Sequence, residues 1–250
     1  ILACLDGGAA PERLLLLNDS IWFPALGDCD LLDRLGALGA DVAGPVHYAH
    51  RNPRRAHLQS YMLLFSRQAL ASEGFARFWR SYAMSNNKVR TIRNGEMRLT
   101  RVCREAGLSV AALHDAYEAP DLSGLSEALR AEVEEYDAVR SADPVGVATI
   151  SATKKPAGAR RGGYLLSSHP AVMIGVLNFP ILKKDRGMPY RRQRRALRAP
   201  GAEALVRRLT PEVRAAVAAW DGPDDSGSAS SRQATFTIST AKVRSLPANG

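Results

Sequence analysis

Two short apolar runs, set among segments with helical spacing, constrain the fold more than any other feature of this sequence. Leu14–Leu17 is a run of leucines that ends at polar residues, and Tyr61–Phe65 is a second apolar run of similar length. Runs this short, bounded by turn residues, are typical of strands that are buried on both faces. We therefore predict that the two runs form neighbouring buried strands.

The segments around these runs carry apolar residues at the spacing of amphipathic helices. Leu31–Leu38 reads as a short helix that ends at Gly39, and segments 96–106 and 125–136 repeat the pattern. Aromatic residues share one face of a further predicted helix: Phe75, Phe78, Trp79 and Tyr82.

The region between the two runs is predicted to hold a second short strand and a loop. Ala40–Gly44 is the strand, and residues 47–57 are polar, basic and interrupted by Pro53, which favours a loop. This alternation of strands and helices predicts a layered α/β domain over residues 1–140.

The organisation of the chain changes after residue 140. We predict a linker over residues 141–163, a basic and mainly helical extension over 164–220, and a disordered tail over 221–250. Within the extension, Thr210-Pro211-Glu212 has the cap, the proline and the acid of a helix start. Residues 151–250 hold 18 Lys and Arg against 6 Asp and Glu, so we expect an anionic partner for this part.

Several function classes are disfavoured by what the sequence lacks. The chain has only three cysteines, in no pattern typical of disulfide frameworks or zinc ribbons, and no signal peptide or bilayer-spanning apolar run is visible. A cytoplasmic protein fits best. The chain starts at Ile1 inside an apolar stretch, so we expect an N-terminal portion to be missing.

Asn18-Asp19-Ser20, which follows the first apolar run, is the first candidate site. Ligands of open α/β sheets bind beyond the carboxyl ends of strands, where Asp19 could hold Mg²⁺ or Mn²⁺ against a diphosphate. The alternative is that Asp19 only begins a turn.

Glu96, in the segment Asn94-Gly95-Glu96, is the second candidate. We predict that it lies in a loop at the N-terminus of a helix, where the helix dipole would keep the carboxylate ionised and able to accept a proton from a sugar hydroxyl. The alternative is an ordinary glutamate in the first turn of that helix.

A third candidate is the group of polar residues before the second apolar run. His57, Gln59 and Ser60 could line a carbohydrate site. A zinc site at His47, His50 and His57 is the less favoured alternative, because their spacing matches no established zinc pattern.

Taken together, four segments resemble the rhamnan synthesis protein F family, whose members build bacterial envelope polysaccharides. The segments lie at residues 15–24, 57–66, 75–79 and 92–100, and the resemblance continues weakly at 169–170 and 179–184. It implies a GT-A-like mixed α/β sheet with flanking helices, here lacking its first strands. It also implies transfer of a sugar, plausibly rhamnose, from a nucleotide-sugar donor to a glycan or lipid-linked acceptor.

By this resemblance each candidate residue has a role in the transfer. Asp19, with Asn18 and Ser20, would hold the divalent metal or the diphosphate, Glu96 would be the catalytic base, and His57, Gln59 and Ser60 would line the sugar site. We therefore predict that Asp19, His57 and Glu96 point into one cleft.

The basic segment Arg191–Arg198 suggests contact with an anionic membrane at its inner face, and we predict that it lies on an exposed surface.

Two other function classes remain open. One is a non-catalytic scaffold in a polysaccharide-assembly complex. The other, less favoured because no nucleic-acid motif accompanies the arginines, is nucleic-acid binding.

Overall fold

A computed structural model of the chain describes residues 11–142, 166, 169–184 and 188–221. It shows a mixed α/β fold whose strands are β1 (Arg13–Leu17), β2 (Ile21–Trp22), β3 (Val42–Tyr48), β4 (His57–Leu58), β5 (Met62–Ser66), β6 (Val110–Asp115) and β7 (Leu182–Lys183). The α-helices are α1 (Leu31–Ala37), α2 (Arg67–Ala71), α3 (Glu73–Ser81), α4 (Lys88–Thr91), α5 (Arg98–Glu105), α6 (Glu127–Ala142), α7 (Met188–Arg195), α8 (Glu203–Arg208) and α9 (Pro211–Asp221).

The main sheet is mixed, with antiparallel and parallel pairs. β1 pairs antiparallel with β5, from Arg13 opposite Ser66 to Leu17 opposite Met62, which confirms that the two apolar runs are neighbouring strands. β5 pairs antiparallel with β3, and β3 pairs in parallel with β6. A mixed α/β sheet with flanking helices is thus confirmed.

β4 and β5 form one interrupted strand along the same side of β3, since β6 occupies the other side. Val42 and Ala43 of β3 pair with β5, whereas His47 and Tyr48 pair with β4. The register shifts by two residues between the two stretches, so Ser60 and Tyr61 bulge out of the ladder. Bulges of this kind are frequent beside active sites, where they redirect side chains.

Two predictions about these strands are wrong. β1 is only half-buried and Leu17 is exposed, because β1 lies at the edge of the described sheet and not inside it. The predicted loop 47–57 is shorter than expected, since β3 continues to Tyr48 and β4 begins at His57.

The prediction that Glu96 lies in a loop at a helix N-terminus is also wrong. Residues 88–105 form one continuous helical segment, in which Ile92–Met97 winds as a π-helix between α4 and α5. Glu96 therefore sits in the middle of a helical segment, and a helix N-terminus does not explain its charge state.

Helices cover both faces of the sheet and create two apolar cores. One core packs α3 and α5 against alternate residues of β3 and β5, and its centre holds Phe65, Phe75 and Phe78. The aromatic face predicted for α3 is confirmed. Deleting a buried aromatic ring of this kind costs about 3–5 kcal/mol.

The second core, on the opposite face, joins the sheet to the C-terminal part of the chain. It contains Met62 of β5, Leu129 and Val133 of α6, Leu205 of α8 and Val213 of α9. Helices α7, α8 and most of α9 fall within residues 164–220, the range predicted as a basic, mainly helical extension. The predicted linker falls almost wholly outside the described residues, apart from the last two residues of α6, and nearly all of the predicted tail does too.

The C-terminal helices are fastened by a buried ion pair. Arg194 of α7 is 3% exposed, and its Nε lies 2.9 Å from Oδ2 of Asp221, the last residue of α9. The prediction that Arg191–Arg198 is exposed is therefore wrong for Arg194, although Arg195 and Arg198 are exposed. Within the described residues, no helix is long and apolar enough to cross a membrane.

Candidate functional site

The strand directions gather the candidate residues at one edge of the main sheet. β3 and β6 run parallel, so their carboxyl ends share this edge. Because β5 runs against both β1 and β3, its start and the end of β1 lie there too. The Asn18–Ser20 turn, His57 and Ser60 therefore occupy the region where ligands of α/β sheets usually bind.

Glu96 is held from both sides at this edge. The hydroxyl of Ser60, in the bulge, donates a hydrogen bond to Glu96 Oε1 over 2.7 Å. Nε2 of His57, at the start of β4, lies 3.5 Å from Glu96 Oε2. The side chains of His57 and Glu96 are 5% and 19% exposed, so the carboxylate is shielded but still reaches solvent.

The imidazole of His57 is fixed in orientation. Its Nδ1 lies 2.6 Å from the carbonyl oxygen of Arg55 and donates to it, and its ring packs 5.2 Å from that of Tyr48. Nε2 is thereby directed at Glu96. With a proton also on Nε2, His57 would form an ion pair with the Glu96 carboxylate.

The π-helical turn positions Glu96 beside Tyr82. A Cβ atom at Gly95 would lie only 3.1 Å from the Tyr82 hydroxyl oxygen, so glycine allows this close approach. The pKa of the Tyr82 phenol is raised mainly by burial and, to a smaller extent, by the negative charge of Glu96. Single π-helical turns inside α-helices are frequent at functional sites.

The Asn18–Ser20 turn lies next to the bulge. The backbone N–H of Asn18 donates to the backbone carbonyl of Tyr61 over 3.2 Å. The backbone N–H of Ser20 donates to the side-chain oxygen Oδ1 of Asn18 over 2.7 Å. Nζ of Lys183 in β7 lies 3.8 Å from the centre of the Tyr61 ring, which places a cation beside the turn. Asp19 itself is exposed.

The residues at this turn do not form a ready-made metal site. Among the described residues, no group of three or more His, Cys, Asp or Glu side chains could hold a metal ion, and the Asn18 amide oxygen already accepts from Ser20. Mg²⁺ held by one carboxylate would depend on phosphate and water oxygens for its other ligands. Metal binding by Asp19 stays a prediction, and no step below depends on it.

The structure thus brings some of the predicted residues into contact and leaves others only nearby. His57 and Ser60 each contact Glu96. Gln59 lies just before the bulge, where its backbone N–H donates to the carbonyl of Val46, and the Asn18–Ser20 turn adjoins Tyr61. No contact joins Asp19 to Glu96, so their predicted convergence in one cleft stays a prediction.

Two residues of this region, Tyr82 and Lys183, were not predicted as site residues. Tyr82 was placed only on an apolar helix face. Lys183 lies 165 residues after Asn18 in the chain, and only the pairing of β2 with β7 brings them together.

Comparison with known proteins supports the sequence resemblance. Residues 44–130 match the model of the family described as rhamnan synthesis protein F. This range includes His57, Ser60 and Glu96 but not the Asn18–Ser20 turn.

One curated relative covers most of the chain. The uncharacterised protein y4gN of Sinorhizobium fredii (strain NBRC 101917 / NGR234) is 29% identical over 237 residues, which is 88% of this chain and 61% of that protein. The chain therefore spans about three fifths of the length of this relative. No solved structure matches the chain.

Proposed function

We propose, from the family match over residues 44–130, that this protein acts in polysaccharide synthesis by transferring a sugar from a nucleotide-sugar donor to a growing cell-surface glycan. The observation that carries the proposal is the carboxylate of Glu96, held by Ser60 and His57 at the sheet edge. We further propose a GT-A-like fold and, from the family's description, rhamnose as the sugar.

In the proposed reaction Glu96 is the general base. The acceptor oxygen forms a bond to the anomeric carbon of the donor sugar, and the hydroxyl proton passes to the Glu96 carboxylate. The bond between that carbon and the diphosphate oxygen breaks, and its electron pair leaves with the nucleoside diphosphate. Ser60 and His57 hold the carboxylate in place, so less motion is required at the moment of transfer.

The donor diphosphate would lie at the Asn18–Ser20 turn, on the other side of the bulge. Lys183 supplies a positive charge beside Tyr61, and β7 is anchored to this turn because the Lys184 amide donates to the carbonyl of Ser20 over 2.8 Å. A fixed cation near the leaving diphosphate stabilises the negative charge that develops there. His57, Gln59 and Ser60 would border the sugar.

A non-catalytic scaffold is the second candidate, and one observation favours it. Both oxygens of Glu96 already have partners, so the carboxylate could serve only to fasten the helical segment 88–105 to the bulge. Partly buried carboxylates are usually hydrogen-bonded in proteins, with or without a catalytic role.

A donor screen separates the two functions. The full-length protein, with membranes that contain the lipid-linked acceptor, would be incubated with a panel of nucleotide sugars that includes dTDP-rhamnose. We expect nucleoside diphosphate to be released from at least one donor, together with extension of the glycan. If no donor is turned over while the protein still binds the glycan, the scaffold function is correct.

A further inference from the structure

A cleft lies beside the proposed active site and runs along β6 to the point where the parallel strands β3 and β6 end. It has a volume of about 290 Å³ and is bordered by Leu58 and by polar side chains from β3, α5, β6 and the turn after β6: His47, Arg104, His114, Asp115 and Glu118. Pockets for drug-sized ligands begin at roughly 300 Å³, so this one suits a ligand the size of a single sugar ring.

The imidazole of His47 is held in one orientation. Nδ1 lies 3.3 Å from Asp115 Oδ2 and donates to it, and the Tyr117 amide donates to the other oxygen of Asp115 over 2.9 Å. On the opposite side, Arg104 donates to His47 Nε2 over 3.3 Å. His47 is thus locked as a single tautomer between an acceptor and a donor.

Glu118 and His114 form a second polar pair in the same cleft. His114 Nδ1 lies 3.1 Å from Glu118 Oε2, and the amide of Asp115 donates to the same oxygen over 3.4 Å. The cleft therefore presents paired donors and acceptors together with the partly exposed apolar side chains of residues 110–113 in β6. This mixture matches a sugar, which has hydroxyl groups around its rim and an apolar ring face.

The charges of the cleft discriminate against a phosphate. Two carboxylates, Asp115 and Glu118, face a single guanidinium, that of Arg104. Burial lowers the pKa of His47 despite its hydrogen bond to Asp115, so His47 adds no lasting positive charge at neutral pH. A diphosphate would be repelled by the two carboxylates, whereas a neutral hydroxyl ligand would hydrogen-bond to them.

The cleft adjoins the site of Glu96. Arg104 lies eight residues after Glu96 in the same helical segment, a rise of about 12 Å. Its guanidinium also donates to the carbonyl of Ala56, the neighbour of His57, over 3.3 Å. A glycan that occupied the cleft could therefore extend from its bound ring towards Glu96.

We propose that this cleft binds one neutral sugar ring of the acceptor glycan, with hydroxyl groups hydrogen-bonded to the carboxylates of Asp115 and Glu118, which His47 and His114 orient. This rests on the proposed function for the identity of the ligand as acceptor. The binding of a neutral sugar itself does not depend on catalysis.

Saturation-transfer NMR on the full-length protein tests the proposal. The probes are methyl α-L-rhamnoside, a short neutral rhamnan oligosaccharide and, as the charged comparison, inorganic pyrophosphate. We expect saturation transfer to the neutral sugars, competition between them and no competition by pyrophosphate. Glu118→Gln and His47→Gln should each weaken sugar binding about 10-fold, because the first removes a carboxylate that accepts from a sugar hydroxyl and the second removes the imidazole that orients Asp115.

Two controls keep the outcome interpretable. Glu12→Gln makes the same charge change as Glu118→Gln, but on an exposed side chain just before the start of β1. This variant should bind sugar normally. Melting temperatures of all variants identify any that fail to fold. Sugar binding that survives both cleft variants, or that pyrophosphate abolishes, overturns the proposal.

The result also separates this proposal from the proposed function. If transfer depends on Glu96 but neutral sugars do not bind the cleft, only the cleft assignment is wrong. If sugars bind the cleft and depend on Glu118 while no donor is turned over, the cleft assignment stands and the transferase function does not.

Discussion

Glu96 contacts both Ser60 and His57, although it lies 36 residues after Ser60 in the chain. Ser60 occupies the bulge, His57 begins β4, and Glu96 lies in a π-helical turn. Each residue lies in an irregular stretch of backbone or at the first residue of a strand. The contacts to Glu96 therefore depend on local irregularities that regular strands and helices would not produce. Such irregularities are common where function requires a side chain in a particular place.

Tyr82 provides a direct measure of the charge on Glu96. Its phenol pKa is raised by burial and by the negative charge of Glu96. Glu96→Gln removes that charge, so the phenol pKa should fall towards its ordinary value. The comparison is an ultraviolet pH titration of the two proteins, with Tyr82→Phe in each background to identify the signal.

An unchanged or raised Tyr82 pKa in Glu96→Gln would mean that Glu96 is not ionised beside it. That result would remove the carboxylate that the proposed mechanism needs.

At the scale of elements, the small sheet of β2 and β7 connects the N-terminal turn to the C-terminal helices. Ile21 pairs with Lys183, and Arg194 of α7 donates to the carbonyl of Lys183 over 2.8 Å. The same guanidinium pairs with Asp221 of α9. The position of Lys183 near the proposed donor site is thus linked to helices far along the sequence.

We expect Asp221→Ala to destabilise the protein strongly. It leaves the Arg194 guanidinium buried without its carboxylate, and breaking one side of a buried ion pair typically costs about 3–5 kcal/mol. Arg214→Ala, at an exposed position of the same helix, should change the free energy of unfolding by no more than about 0.5 kcal/mol. Chemical denaturation of both variants measures the difference, and equal small effects would show that the pair does not fasten the helices.

At the scale of the whole molecule, the sequence predicted elements with a strong local signature and missed those defined by long-range packing. The leucine run and Tyr61–Phe65 were recognisable because both are apolar and bounded by turn residues. β6 was not predicted, because Val110-Ala111-Ala112 has small side chains that favour no strand strongly. Its strand state comes from pairing with β3.

Which residues belong to the candidate site stays a prediction, and the local structure around Glu96 was not predicted correctly. His57, Ser60 and Glu96 were chosen by residue type and resemblance, and the helical position of Glu96 was missed because the polar residues before it carry no apolar periodicity. The His47–Asp115 pair joins residues 68 positions apart, which only the parallel pairing of β3 and β6 brings together. Nor does an amphipathic pattern reveal what a helix packs against, so the shared core of the C-terminal helices was not foreseen.

The exposed arginines of the C-terminal part lead to a prediction about membranes. We propose that Arg195 and Arg198 help to hold the protein at the anionic inner face of the cell membrane. Replacing both by Gln should weaken binding to phosphatidylglycerol vesicles on the order of tenfold at low salt, since each basic residue near such a surface contributes about 1 kcal/mol. Binding should also fall as salt is raised.

Arg67→Gln combined with Arg77→Gln is the matched control, because it removes the same charge from exposed positions in α2 and α3. An equal loss of vesicle binding in this control would show that net charge, and not this surface, is responsible. Equal binding to neutral vesicles would contradict the membrane proposal altogether.

The central claim is that Glu96 acts as a base, and its most direct test is the transfer rate of Glu96→Gln in the full-length protein. The amide keeps the size of the side chain but cannot accept the proton, so kcat should fall about 10²–10⁴-fold. Glu105→Gln, an exposed position in the same helical segment, should transfer normally. Near-normal turnover by a folded Glu96→Gln protein would contradict the account and leave Glu96 with a structural role only.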